Sequence, residues 1–181
     1  MRRKGSQYLK RRRMSPLRIE CVSGGDAGEE IVSWLEDNVR QPREFKQEQL
    51  WIQAPADHGK TSSFRELEKY ISIHWLSKFE EFDDLYEDGA YDLVCIDEFR
   101  GQRRITWMNE FLQGSTMVMR RKGSQYLKKE NLPCVILSNF SPEECWSNAS
   151  AERIAPLKAR IRIVLLSEFL KISVREDDCN E

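Results

Sequence analysis

The sequence predicts an α/β fold with a mainly parallel sheet, and three stretches carry that prediction. Leu50, Trp51 and Ile52 lead into a loop with Pro55 and Gly59 that closes on Gly59-Lys60-Thr61, the pattern of strand, loop and helix start. Leu93 to Ile96 form a second apolar run that ends on two acids, Asp97 and Glu98. Leu132 to Leu137 form a third, ending on Ser138 and Asn139. Continuous apolar runs of this kind suit strands covered on both faces, and ligands in open parallel sheets sit at the edge where such strands end. The fold class is read as a P-loop NTPase preceded by a short N-terminal helical segment.

The spacing within the loop has a specific chemistry. Backbone N–H groups of a tight loop point at a phosphate, the next helix offers the positive end of its dipole, Lys60 adds a compact cation and Thr61 a hydroxyl for Mg²⁺. Ala54, Pro55, Asp57, His58, Gly59, Lys60, Thr61 and Ser62 are the candidate nucleotide contacts. One departure stands out: the usual opening glycine is Ala54, which fits if the backbone there keeps a negative φ. Asp97 is assigned to the Mg²⁺ that Thr61 also touches, and Glu98 to the attacking water. Asn139, polar at a strand end, would sit beside the terminal phosphate and orient that water. The bland alternatives are a surface turn before a helix and an acidic turn after a buried strand. The ordered pairing of the two motifs favours the shared mechanism.

Composition bounds the rest. The 181 residues suit one domain, and 40% hydrophobic residues can fill a core while 33% charged residues keep the surface hydrated. No apolar run is long enough to span a membrane, and the N-terminal basic residues are not followed by the apolar segment of a secretory signal. Cys21, Cys95, Cys134, Cys145 and Cys179 are odd in number and lack CxxC spacing, so reduced thiols are expected and a zinc site is not. Cys95 and Cys134 lie inside apolar runs and read as packing residues. The net charge of −1 hides an asymmetry between a basic N-terminus and an acidic C-terminus, so attraction to nucleic acid would be local.

In chain order, residues 1–18 read as a basic disordered arm that contacts phosphates, directs nuclear import, or merely solubilises. Its first ten residues, MRRKGSQYLK, recur at 119–128, a duplication without a repeat architecture around it. Residues 19–42 read as a helical and linker segment. In it Ile31, Trp34, Leu35 and Val39 share one helical face, which either packs on the body or mediates oligomerisation. Residues 43–170 form the ATPase domain and 171–181 an acidic tail. After the helix that follows Thr61, the alternation of Ile71, Ile73 and Trp75 predicts a strand with His74 facing solvent. Asp83-Asp84 reads as a solvated face. Ile105, Met108 and Leu112 share a helix face that Gly114 ends. Residues 117–129, with Arg120, Arg121, Lys122 and Lys128 around Gly123, suit a basic β-hairpin. Two short helical stretches, 142–146 and 151–159, precede a last strand at 161–166.

Taken together, the loop ending Gly59-Lys60-Thr61, the strand with IDEF, the basic hairpin with Lys122-Gly123 and LPCVILSN resemble, in that order, one known family. This is the superfamily 3 helicase domain of replication-associated (Rep) proteins from circular single-stranded DNA viruses. The likeness covers about residues 42–166 and is reinforced by PREFKQEQLWI and DEFRGQ. It implies a five-stranded parallel sheet flanked by helices, a homo-oligomeric hexameric ring, ATP and Mg²⁺ as cofactors, 3′ to 5′ unwinding during rolling-circle replication, and residence in the host nucleus. It places Arg120, Arg121, Lys122 and Lys128 on single-stranded DNA, with RNA as a second candidate. Asn139 matches the family's sensor asparagine. Arg160 matches the arginine donated in trans, with Lys158 and Arg162 as alternatives. The family's nuclease is not expected here. Tyr126 fits its YxxK formula but falls in the hairpin, and His58 and His74 form no HxH pair. The competing function is a truncated or rearranged Rep remnant that binds nucleotide and nucleic acid without forming a motor. A small-molecule kinase would need an acceptor-binding motif, and none is found.

Overall fold

A computed structural model describes residues 17–77, 83 and 85–175. Five strands make one parallel sheet: β2 (Gln49–Gln53), β3 (Ile73–Trp75), β4 (Leu93–Phe99), β7 (Cys134–Ser138) and β8 (Ile161–Leu165), in the order β3-β4-β7-β2-β8. Successive side chains of a strand point to opposite faces, so each apolar run feeds two cores. Leu50, Ile52, Leu93, Cys95, Val135 and Leu137 face one side. There they meet α1 (Gly25–Asn38) and α2 (Lys60–Leu67) through Ile31, Trp34, Leu35, Phe64 and Leu67. Trp51, Val94, Ile96, Cys134 and Ile136 face the other. They pack on α3 (Ile105–Leu112) and α5 (Ala151–Lys158) through Met108, Phe111, Leu112 and Leu157. Burying one such side chain is worth about 1.5–3 kcal/mol. Burial also raises the Cys95 thiol well above its ordinary value and Cys134 to about 12, which leaves both as inert packing groups.

A short helix, α4 (Pro142–Cys145), carries a capping box in which Ser141 and Glu144 satisfy each other's backbone N–H. The stretch 117–128 is a hairpin of β5 (Met117–Arg121) and β6 (Ser124–Lys128). A second antiparallel ribbon pairs β1 (Ile19–Ser23) with β9 (Lys171–Val174).

Several expectations are corrected. Residues 19–23 and 171–174 are not linker and tail; they form the β1–β9 ribbon and contribute Ile19 and Ile172 to the core. The helix of the 19–42 segment begins at Gly25, and its apolar face packs on the body, as one of the two readings had it. His74 does not face solvent. It is buried against Tyr86 and Tyr91, with ring centroids 5.2 and 4.7 Å away, because the 85–91 segment covers the outer face of β3. Burial first, and the nearby Arg103 charge second, push its pKa down to about 4. Asp83 is likewise buried, in an ion pair with Arg103 at 2.6 Å. Asp84, residues 1–16 of the basic arm and residues 176–181 lie outside the described residues, while Leu17, at the end of that arm, is buried in the core. Among the described residues no helix is long and apolar enough to cross a membrane.

Candidate functional site

The site forms where β2 and β4 end. The 54–59 loop leaves β2 with the Ala54 N–H donating to Ser138 O at 3.1 Å, which ties it to β7. Ala54 is absent from the residues with positive φ, so a methyl group costs nothing at that position. Asp57 (φ 62°) and Gly59 (φ 75°) take the left-handed turns that bend the loop back onto α2. Only glycine fits at 59, since a Cβ there would lie 2.3 Å from Leu170 O. No side chain caps α2, so its first N–H groups open toward the loop.

Lys60 starts that helix and is only 8% exposed. Its ammonium donates to Ala54 O at 2.6 Å, Pro55 O at 2.7 Å and Asn139 Oδ1 at 3.0 Å. Burial lowers its pKa from the ordinary lysine value, while the Asp97 and Asp57 carboxylates oppose that shift. Next to it Thr61 Oγ1 donates to Asp97 at 2.9 and 3.1 Å. Asp97 Oδ1 also accepts the Glu98 N–H at 2.9 Å.

The pairing of β4 with β7 slips between Ile96 and Phe99, a bulge in which Glu98 takes φ 49°. A bulge re-aims side chains, and here it lets the consecutive Asp97 and Glu98 border one cleft. Ser138, fully buried, holds the bulge in place. Its hydroxyl donates to Phe99 O at 2.7 Å and accepts the Phe140 N–H at 2.9 Å. The cleft has a volume of about 370 Å³, within the roughly 300–1,000 Å³ of small-molecule sites.

Of the sequence-predicted residues, Asp57, His58, Gly59, Lys60, Thr61, Ser62, Asp97, Glu98 and Asn139 border this cleft. Ala54 and Pro55 stand behind it and contribute carbonyls to Lys60. The Ser62 hydroxyl donates to Gly59 O at 3.1 Å, and His58 Nδ1 lies 3.0 Å from Ala56 O. Ala56, Phe99, Arg100 and Leu137 also line it and were not singled out by sequence. For Arg100 the signal was adjacency to the acid pair.

No family model and no curated protein matches this chain.

The donor set fits a magnesium-bound polyphosphate. Among the described residues no group of three or more His, Cys, Asp or Glu gathers to hold a metal unaided. Mg²⁺, however, commonly takes one or two protein oxygens and fills its shell with phosphates and water, and Thr61 and Asp97 supply such oxygens.

The hairpin is less basic outside than its sequence suggests. Arg120 on β5 and Lys122 in the turn are exposed. Arg121 instead donates to Tyr86 O and lies 4.1 Å over the Tyr126 ring. Lys128 is 1% exposed; its ammonium donates to Glu130 O at 2.6 Å above the Phe111 ring. Pairing with Met117 puts Lys128 on the inward face, and burial lowers its pKa. Lys128 is therefore withdrawn from any strand that the hairpin could grip, contrary to expectation.

Arg160 lies at the other edge of the sheet. Its carbonyl accepts the N–H of Gln49, where β2 begins, and its guanidinium meets Asn109, Gln113 and Pro156 O. It does not border the cleft of its own chain. Of the alternatives, Lys158 pairs with Glu143 at 2.5 Å and Arg162 with Glu48 at 2.8 Å.

Proposed function

We propose that this chain is an ATP hydrolase of the P-loop type, the superfamily 3 helicase-type domain of a viral replication-associated protein. It would translocate on single-stranded DNA during rolling-circle replication in the host nucleus. One observation carries the reading: Lys60, Thr61, Asp97, Glu98 and Asn139, drawn from three separate strands' ends, meet at one cleft.

The roles follow from position. The Lys60 ammonium exchanges its carbonyl partners for β and γ phosphate oxygens, helped by loop N–H groups. Thr61 and Asp97 hold Mg²⁺, which when bound neutralises charge on the phosphates. Glu98 orients the water and takes its proton, and Asn139, already on Lys60, reads the γ-phosphate. Arg160, at the opposite edge of the sheet, serves the neighbouring subunit's nucleotide in a hexameric ring. Arg120 and Lys122 meet the DNA phosphates, and RNA phosphates would serve as well.

The test is Mg-ATP turnover with and without single-stranded DNA: DNA should raise it. Hydrolysis indifferent to DNA favours the Rep remnant without motor function, a reading that the inward turn of Arg121 and Lys128 supports. Neutralising Lys122 with Lys122→Gln should weaken DNA binding alike for all sequences and reduce the salt slope by about one unit. An unchanged slope in a salt titration takes Lys122 off the DNA path.

A further inference from the structure

The geometry points to the Phe169 ring as the platform on which the nucleotide's base stacks, an assignment that rests on the nucleotide reading above. The connection from β8 to β9 runs along the outside of the 54–59 loop and is fixed to it. Leu166 N–H donates to Gln53 O and Leu170 N–H to His58 O, each at 2.9 Å, and Ser63 Oγ donates to Leu170 O at 2.8 Å. Ser23 Oγ of the β1–β9 ribbon donates to Phe169 O at 2.9 Å. This backbone is held from both sides, yet Phe169 is 54% exposed.

A single exposed apolar side chain is ordinary. This one is distinguished by its place. A Cβ built on Gly59, a residue that borders the cleft, would stand 2.9 Å from Phe169 Cζ, so the ring abuts the turn into α2. The direction of a bound nucleotide is set by its reacting end. Asp97, Glu98 and Asn139 come from β4 and β7, on one side of β2, whereas β8 flanks β2 on the other. A triphosphate whose terminal group lies at the acids carries its nucleoside toward the β8 side, where the chain leaving β8 presents this ring. The face of a phenyl ring stacks on the face of a base, and a purine offers it the larger area.

Binding of Mg-ATP and of Mg-tripolyphosphate, which has no base, separates the possibilities. Phe169→Ala should weaken ATP about tenfold or more and leave tripolyphosphate unchanged, and Phe169→Trp should restore ATP affinity. Equal losses for both ligands would mean that the ring only props the loop, and no loss for ATP would mean that the base lies elsewhere; either overturns the assignment. If the unaltered chain binds tripolyphosphate as tightly as ATP, the base contributes nothing and the assignment falls while the phosphate site stands. If it binds neither, the nucleotide reading falls and takes this one with it.

Discussion

Glu98→Gln lowers Mg-ATP turnover by roughly two to four orders of magnitude, the range that a positioned general base contributes, and leaves nucleotide affinity nearly intact. The separation follows from what each group touches. Thr61 and Asp97 form a hydrogen-bonded pair at the loop beside Lys60, and the Glu98 backbone N–H donates to Asp97. Its side chain stands in the cleft on a bulge at φ 49°, a conformation few non-glycine residues adopt. Glutamine keeps the shape and the backbone geometry but cannot accept a proton. Lys60→Ala behaves differently, since it removes the cation and leaves the carbonyls of Ala54 and Pro55 without their donor. Binding and turnover fall together in that variant. Single-turnover hydrolysis alongside equilibrium nucleotide titration distinguishes the two, and equal loss of affinity and rate in Glu98→Gln would refute the role given to Glu98.

The sheet was legible because its three central strands, β2, β4 and β7, are buried on both faces. Runs such as LWI, LVCI and CVIL need no partner to be recognised, and the polar residues that end them mark the edge where the cleft lies. What was misread depends on contacts distant in the chain. The β1–β9 ribbon pairs Ile19 with Val174, and neither short segment carries an alternation that betrays it. His74 falls out of phase with Ile73 and Trp75, which predicts solvent for a strand with one wet face, but Tyr86 and Tyr91 close over it. Charge was the least reliable guide. Lys128 and Asp83 are ionisable groups in polar-looking stretches, and both are buried against side chains distant in sequence, Phe111 for Lys128 and Arg103 for Asp83. Nothing local announces such partners. The loop, by contrast, is a local device, so most of its residues were placed at the cleft from spacing alone.

The Arg103–Asp83 pair is where those long-range contacts converge, and breaking it carries the largest stability cost expected in this fold. Both side chains are nearly excluded from water, at 2% and 6% exposure, and Arg103 also donates to Ser77 O at 2.8 and 2.6 Å and lies 4.0 Å over Trp107. Asp83→Ala strands a buried guanidinium, so urea unfolding should register a loss of about 3–5 kcal/mol. Replacing both partners with apolar groups, Arg103→Met with Asp83→Leu, should recover most of it, because no uncompensated charge remains. The pair also lies between the cleft and the hairpin. Gln102 Nε2, beside Arg103, donates to Glu98 O at 3.1 Å, and the Asp83 N–H donates to Arg120 O at 2.8 Å. For the DNA-stimulated ATPase proposed above, the pair would be one packed link between Glu98 and the hairpin. The folded double variant should therefore keep basal ATP turnover but lose its stimulation by single-stranded DNA. If stimulation persists in full, the pair holds the fold together and transmits nothing.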